Sequence, residues 1–157
     1  MKFTPEIFQN LELTDPDLFV TSCQEFFKAH SFKGRRVLVV LDSTIIFTKR
    51  IELTNSHKDS VRDEIEHYAA QIPFDSGQRA VIYLQNDRLL QIFAVNALIF
   101  QGIQEALKNT GVRKFAAITP AAAYQIDYSA KPAEVIDQFL DDTEVLKVLD
   151  FSTSSIR

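Results

Sequence analysis

The chain has 157 residues, 46% of them apolar and 24% charged, and a formal net charge of −4. That length and mixture suit one folded domain with a full core. The acidic balance argues against a nucleic-acid or anionic-membrane partner, because both need a basic face.

Residues 1–14 read as an N-terminal arm, without the apolar stretch of a signal peptide. Asp15 followed by Pro16 is a helix start, with a side-chain acceptor at the cap and proline at the first helical position. Phe19, Cys23, Phe26, Phe27 and His30 then recur on one helical face, and Gly34 closes the segment. Cys23 is the single cysteine, so neither an intrachain disulfide nor a cysteine zinc site is expected. Its place on the apolar stripe makes it a small core residue, and a lone thiol suits a reducing compartment. Lys33, Arg35 and Arg36 flank the joint to the next element and read as solvated turn charges.

Residues 37–41, VLVVL, are apolar on both faces and predict a central strand. From Ile45 to Leu53 the pattern alternates, with Ile45, Phe47, Ile51 and Leu53 on one face. That predicts a half-exposed strand. Asp42 and Ser43 lie between the two and have turn chemistry, and so short a connection favours an antiparallel hairpin. Ser56 with Asp59 resembles a capping box, with His57 in the first turn. Val61, Ile65, Tyr68, Ala69 and Ile72 form the stripe of a second helix, which Pro73 stops. Residues 80–85 and 89–95 predict two strands joined around Asn86 and Asp87. Asn96 caps a third helix and Gly111 ends it. Residues 114–119 predict another strand, 132–140 a fourth helix and 145–149 a last short strand. Hairpins alternating with helices imply an α+β domain with a mixed, mostly antiparallel sheet over residues 15–140, and a tail from 141 to 157. No apolar run approaches the ~20 residues that span a bilayer, so the expected location is cytoplasmic.

Catalytic patterns are not evident. Asp42 ends an apolar strand, but Ser43 and Thr44 follow it, where a haloacid-dehalogenase-like site needs a second aspartate and a phosphate loop needs glycine. Glu64 and His67 have the spacing of a ferritin-like half-site, yet no second such pair exists, so they read as the solvated face of the second helix. The four glycines form no phosphate-binding pattern, and no serine sits in a nucleophile elbow. The expectation is no catalytic residue, no metal and no cofactor.

Several stretches together resemble one family. FKGRRVLVVLD (32–42), STIIFTKRIEL (43–53), AAQIPFD (69–75), LLQIFAVN (89–96) and NTGVRKFAAITPAAAY (109–124) follow in order. They resemble the "KGKRVVVSLP", "SSVFTRVIELP", "IPF" and "AGLKVVAVTPAA" stretches of PilM-like proteins of type IV pilus and competence systems. Those proteins resemble FtsA of the actin-like ATPase superfamily. The matching region there is an inserted strand-helix-strand-strand (SHS2) subdomain that mediates protein contacts. The resemblance implies a non-enzymatic interaction domain for a pilus, competence or secretion machine at the inner membrane. Its implied partner is a peptide or subunit, such as the cytosolic N-terminal segment of a PilN-like protein. The family's first phosphate loop has no counterpart, and in VLDFSTSS (148–155) Phe151 stands where "LVDIGASST" has glycine, so ATPase activity does not carry over. Arg50 on the polar strand face, Phe74 after Pro73, and Tyr124 beyond the last strand are the candidate partner contacts. The alternatives are a degenerate nucleotide-binding protein using residues 148–155, which predicts stabilisation by ATP, or a self-associating subunit pairing through an edge strand.

Overall fold

Asp15 sets the first helix: its Oδ1 accepts the Leu18 N–H at 2.9 Å, and Pro16 opens α1, Pro16–Ala29. The computed structural model describes residues 6–9, 11–34, 36–53, 60–108, 110–111, 114–120 and 147–151. Ahead of α1, β1 (Phe8–Gln9) and β2 (Glu12–Leu13) form a small antiparallel hairpin. Ile7 and Leu13 are buried, and the Phe8 ring meets the edge of Phe19, with centroids 5.7 Å apart, so this segment is packed against α1.

After α1 come β3 (Arg36–Leu41), β4 (Phe47–Glu52), α2 (Val61–Gln71), β5 (Arg79–Gln85), β6 (Leu89–Asn96), α3 (Ala97–Lys108) and β7 (Lys114–Pro120). The order expected from the sequence is observed through β7. The cap Asn96 accepts the Leu98 N–H at 3.0 Å. The β5–β6 hairpin turns at Asn86, whose Oδ1 accepts the N–H groups of Arg88 and Leu89. The expected helix at 132–140, the capping box at Ser56 and Asp59, and His57 lie outside the described residues.

The expected hairpin between β3 and β4 does not form. β3 pairs in parallel with β7, while β4 pairs antiparallel with β6 in a three-stranded sheet of order β4-β6-β5. The reason lies at Asp42. Its Oδ1 accepts the Thr44 N–H at 2.8 Å and caps a single 3₁₀ turn, Ser43–Ile45, which carries the chain from one sheet to the other. Asp42 is therefore a turn residue, as its sequence context implies. The last expected strand also differs: Lys147 and Val148 are helical.

Two glycine turns launch the parallel pair. Gly34 and Gly111 have φ of +73° and +70°, and the Gly34 N–H donates to the Gly111 carbonyl at 2.9 Å, just ahead of β3 and β7. The three-stranded sheet is covered on both faces. One face, with Ile82, Phe93 and Val95, packs on α1, α3 and β3 to make the main core. The other carries Leu90 and Ile92 under Ile65 and Tyr68 of α2. Lys49 of β4 ties that helix down, with Nζ 3.7 Å from Glu64 and 5.5 Å from the Tyr68 ring centroid. β4, α2, β5 and β6 thus follow as strand, helix, strand, strand, with β6 between the other two strands.

Candidate functional site

β3 has an apolar side chain at every position from 37 to 41, yet among the described residues it pairs along one edge only, with β7. The other edge borders a groove of about 890 Å³. Cys23, Phe26 and Phe27 of α1 form one wall, with Phe32 beside them and Ile103 of α3 behind. Residues 37–41 of β3 form the other wall, and Asp42, Thr44 and Ile45 mark the exit. The aromatic wall is internally packed: Phe27 meets Phe32 edge-on at 5.5 Å, and Phe26 lies 6.2 Å from Phe32. His30 stacks on Phe26 at 4.3 Å, and its Nδ1 lies 2.8 Å from the Phe26 carbonyl at the end of α1. Val40 is 38% exposed, while Leu38 and Val39 are half-buried.

A lining of this kind offers apolar contact and main-chain hydrogen bonds to an extended segment. A six-residue strand is about 20 Å long at ~3.3 Å per residue. Beside it stand apolar side chains that gain about 25 cal/mol for each Å² removed from water. A strand edge supplies main-chain hydrogen bonds, and a wall of aromatic side chains supplies anchor pockets.

Cys23 is 2% exposed, and burial pushes its thiol up to about 11. A raised folded-state value means the native chain keeps its proton while the unfolded thiol, near 9.0, loses it. The stabilisation is complete below about pH 9 and is lost as pH rises towards 11. Two pH units correspond to about 2–3 kcal/mol. Comparison of denaturant midpoints from pH 8 to about 11 in wild type and Cys23→Ala should show a steeper alkaline fall in wild type. Parallel curves would mean that the thiol titrates freely in the folded chain.

Of the residues expected to make contacts, Arg50 and Phe74 are not among the described residues that line this groove. Arg50 is exposed on β4, opposite Gln91 of β6. Phe74 is 5% exposed and sits edge-to-face with Phe47 at 5.5 Å, plugging the small cluster of Ile72 and Ala94 on the α2 side of the sheet. Along β4, Phe47 and Arg50 differ by an odd number of residues, so Phe74 and Arg50 are on opposite faces. Tyr124 lies outside the described residues. Glu64 faces Lys49, and His67 Nε2 lies 2.8 Å from the Gln71 amide nitrogen, so each has a partner on or beside α2.

Residues 149–151 pack into the main core. Leu149 and Phe151 are fully buried, and Asp150 Oδ1 accepts the buried Ile118 N–H of β7 at 2.9 Å. The groove side chains Phe26, Phe32 and Val39 escaped sequence reasoning because a helical stripe and an apolar strand both read as core. The available signal was the density of Phe26, Phe27 and Phe32 just ahead of a wholly apolar strand.

No protein-family model matches the chain, and no curated protein is similar to it at a significant level. Among solved structures, it is similar to the cytoplasmic domain of EpsL, an inner-membrane component of the type II secretion system of Vibrio cholerae. That match has 14% identity and a TM-score of 0.48, over 64% of this chain and 42% of that one. It is also similar to a chain of a PilM–PilN type IV pilus biogenesis complex, with 17% identity and a TM-score of 0.45, over 75% of this chain and 38% of the other. The chain thus spans about two-fifths of the length of each. Among the described residues no helix is long and apolar enough to cross a membrane.

Proposed function

We propose that this chain is a non-catalytic protein-interaction domain of the strand-helix-strand-strand kind, acting at the cytoplasmic face of a pilus, competence or secretion assembly. One observation carries the reading: the β3 edge unpaired among the described residues runs along an apolar groove walled by Phe26, Phe27 and Phe32. The occupant is an extended partner segment that adds main-chain hydrogen bonds to β3 and sets apolar side chains against the aromatic wall. The resemblance of about residues 15–124 to PilM-like sequences supports the cytosolic N-terminal segment of a PilN-like inner-membrane protein as that occupant. The absence of catalysis is part of the same reading. Asp42 is engaged as a turn cap, Asp150 holds the Ile118 N–H, and the Phe151 ring lies in the core rather than leaving room for phosphate.

An amide NMR titration with such a peptide tests this. Shifts should cluster on residues 37–41, Phe26 and Phe32, and Phe32→Ala should weaken binding about tenfold, as expected for an aromatic anchor. No shifts at about millimolar peptide, or shifts centred on α2, would remove the groove reading. A melt with and without Mg-ATP is the second arm. Nucleotide at ~100 times its Kd would add about 2.7 kcal/mol to a nucleotide-binding protein, and none is expected here.

A further inference from the structure

Among the described residues the three-stranded sheet has β4 and β5 as its outer strands, and their edges are chemically unlike. Asn86 N–H donates to the Leu89 carbonyl at 3.0 Å, so at the hairpin the even-numbered residues of β5 turn their backbone groups towards β6. Arg79, Val81, Tyr83 and Gln85 therefore turn theirs outwards. On the far side, the Leu53 N–H donates to Arg88, which fixes the opposite parity in β4: Thr48, Arg50 and Glu52 point outwards.

A second copy meets these edges differently. In the fullest antiparallel register of β4 on itself, outward-bonding residues pair as Thr48 with Glu52 and Arg50 with its own copy. Like charges directly opposite destabilise a sheet, and a charged residue at an edge is a common guard against such pairing. β5 carries one charged residue, Arg79, at its first position, and its guanidinium donates to the Ile72 and Phe74 carbonyls of its own copy at 3.1 and 2.6 Å. Paired on itself about Ile82, it sets Val81 opposite Tyr83, Ala80 opposite Leu84 and Arg79 opposite Gln85, with no like-charge pair in the register. All four outward-bonding residues then meet outward-bonding partners, so the ladder is complete. Tyr83 is 44% exposed and is the one large apolar side chain of the sheet that stands so far in solvent among the described residues. In this register it covers Val81 of the other copy, an aromatic and β-branched cross-strand pair.

We infer that this chain forms a two-fold symmetric dimer by antiparallel pairing of β5 with β5 of a second copy, centred on Ile82. The result is a six-stranded sheet of order β4-β6-β5-β5-β6-β4. A two-fold axis through this pair stands normal to the sheet, so both copies of α2 lie on one face and both main cores on the other. The β3 groove belongs to the main-core side of each copy, so dimer and partner binding use separate surfaces.

The test is sedimentation velocity of the 157-residue chain from about 1 μM to 1 mM, with variants chosen to spare the monomer. Tyr83→Pro removes an N–H that points away from β6, so the sheet keeps its ladder while the dimer loses a bond at each of two symmetric sites. It should be folded and monomeric. Gln85→Lys places a like charge against Arg79 twice and should weaken the dimer between about twofold and thirtyfold. Gln85→Glu should tighten it over the same range. A wild-type chain that stays monomeric throughout overturns the proposal. So does a dimer whose affinity ignores both Gln85 variants, since that dimer uses another surface.

Discussion

Gly102→Ala should destabilise the chain by about 1–3 kcal/mol, against the general rule that alanine improves a helix. α1 and α3 cross with Gly102 against Phe19. A β-carbon built on Gly102 lies 2.8 and 2.9 Å from two ring carbons of Phe19 and 3.3 Å from a methyl of Val20. Phe19 cannot yield easily. It is fully buried and wedged against the Phe8 ring, so relief at Gly102 means displacing the β1–β2 hairpin or separating the helices. The propensity gain of about 1 kcal/mol offsets only part of this. Phe19→Ala alone should cost more, about 3–5 kcal/mol, from lost burial and the cavity left behind. The pair gives the sharper test. With Phe19 trimmed, the methyl at 102 has room, so the double variant should be more stable than the two single losses predict by addition. Urea midpoints of the four proteins decide it. Additive losses, or a stabilising Gly102→Ala, would show that the helices have slack at this crossing.

That crossing also shows what could be read in the sequence. The α1 stripe with Phe19 and Cys23, the Asp15 and Asn96 caps and the Asn86 turn are local signals, and each formed as its chemistry predicts. The partner of Phe19 was invisible, because a glycine inside a helix does not announce which neighbour needs its missing β-carbon. The β3–β4 connection misled for a related reason. A connection of a few residues permits a hairpin, and nothing local states that Leu41 pairs with Pro120 instead. The apolar run at 37–41 reports that both faces of β3 are covered, and is silent about how many edges are paired. The groove follows from that silence: its walls come from α1, β3 and α3, and each piece alone has the pattern of core. The Phe74 and Arg50 readings had the opposite weakness. Their residue types suit a contact, while packing makes Phe74 a plug against Phe47 and leaves Arg50 as one of the charged residues of β4, with Lys49 and Glu52.

Asp150→Ala should lower stability by about 1–3 kcal/mol and loosen β7 in particular. The Asp150 carboxylate accepts the Ile118 N–H, and both groups are buried, so truncation leaves an amide with no water to replace its acceptor. Asp150→Asn keeps an oxygen at nearly the same place and should lose less, because only the charge-assisted part of the bond goes. The two variants therefore separate the hydrogen bond from the charge. Hydrogen exchange at the Ile118 amide gives the local reading: protection should fall sharply in the alanine variant and only partly in the asparagine variant. The consequence reaches the groove through pairing. Ile118 sits opposite Val39, so a β7 that opens more often leaves β3 less firmly held along the edge that backs the groove. Peptide affinity should then fall in Asp150→Ala, although Asp150 is not among the groove's lining residues. If affinity is unchanged while Ile118 loses protection, β3 is held by the α1 and α3 core alone, and the parallel pair is a closure of the core rather than a support for the binding edge.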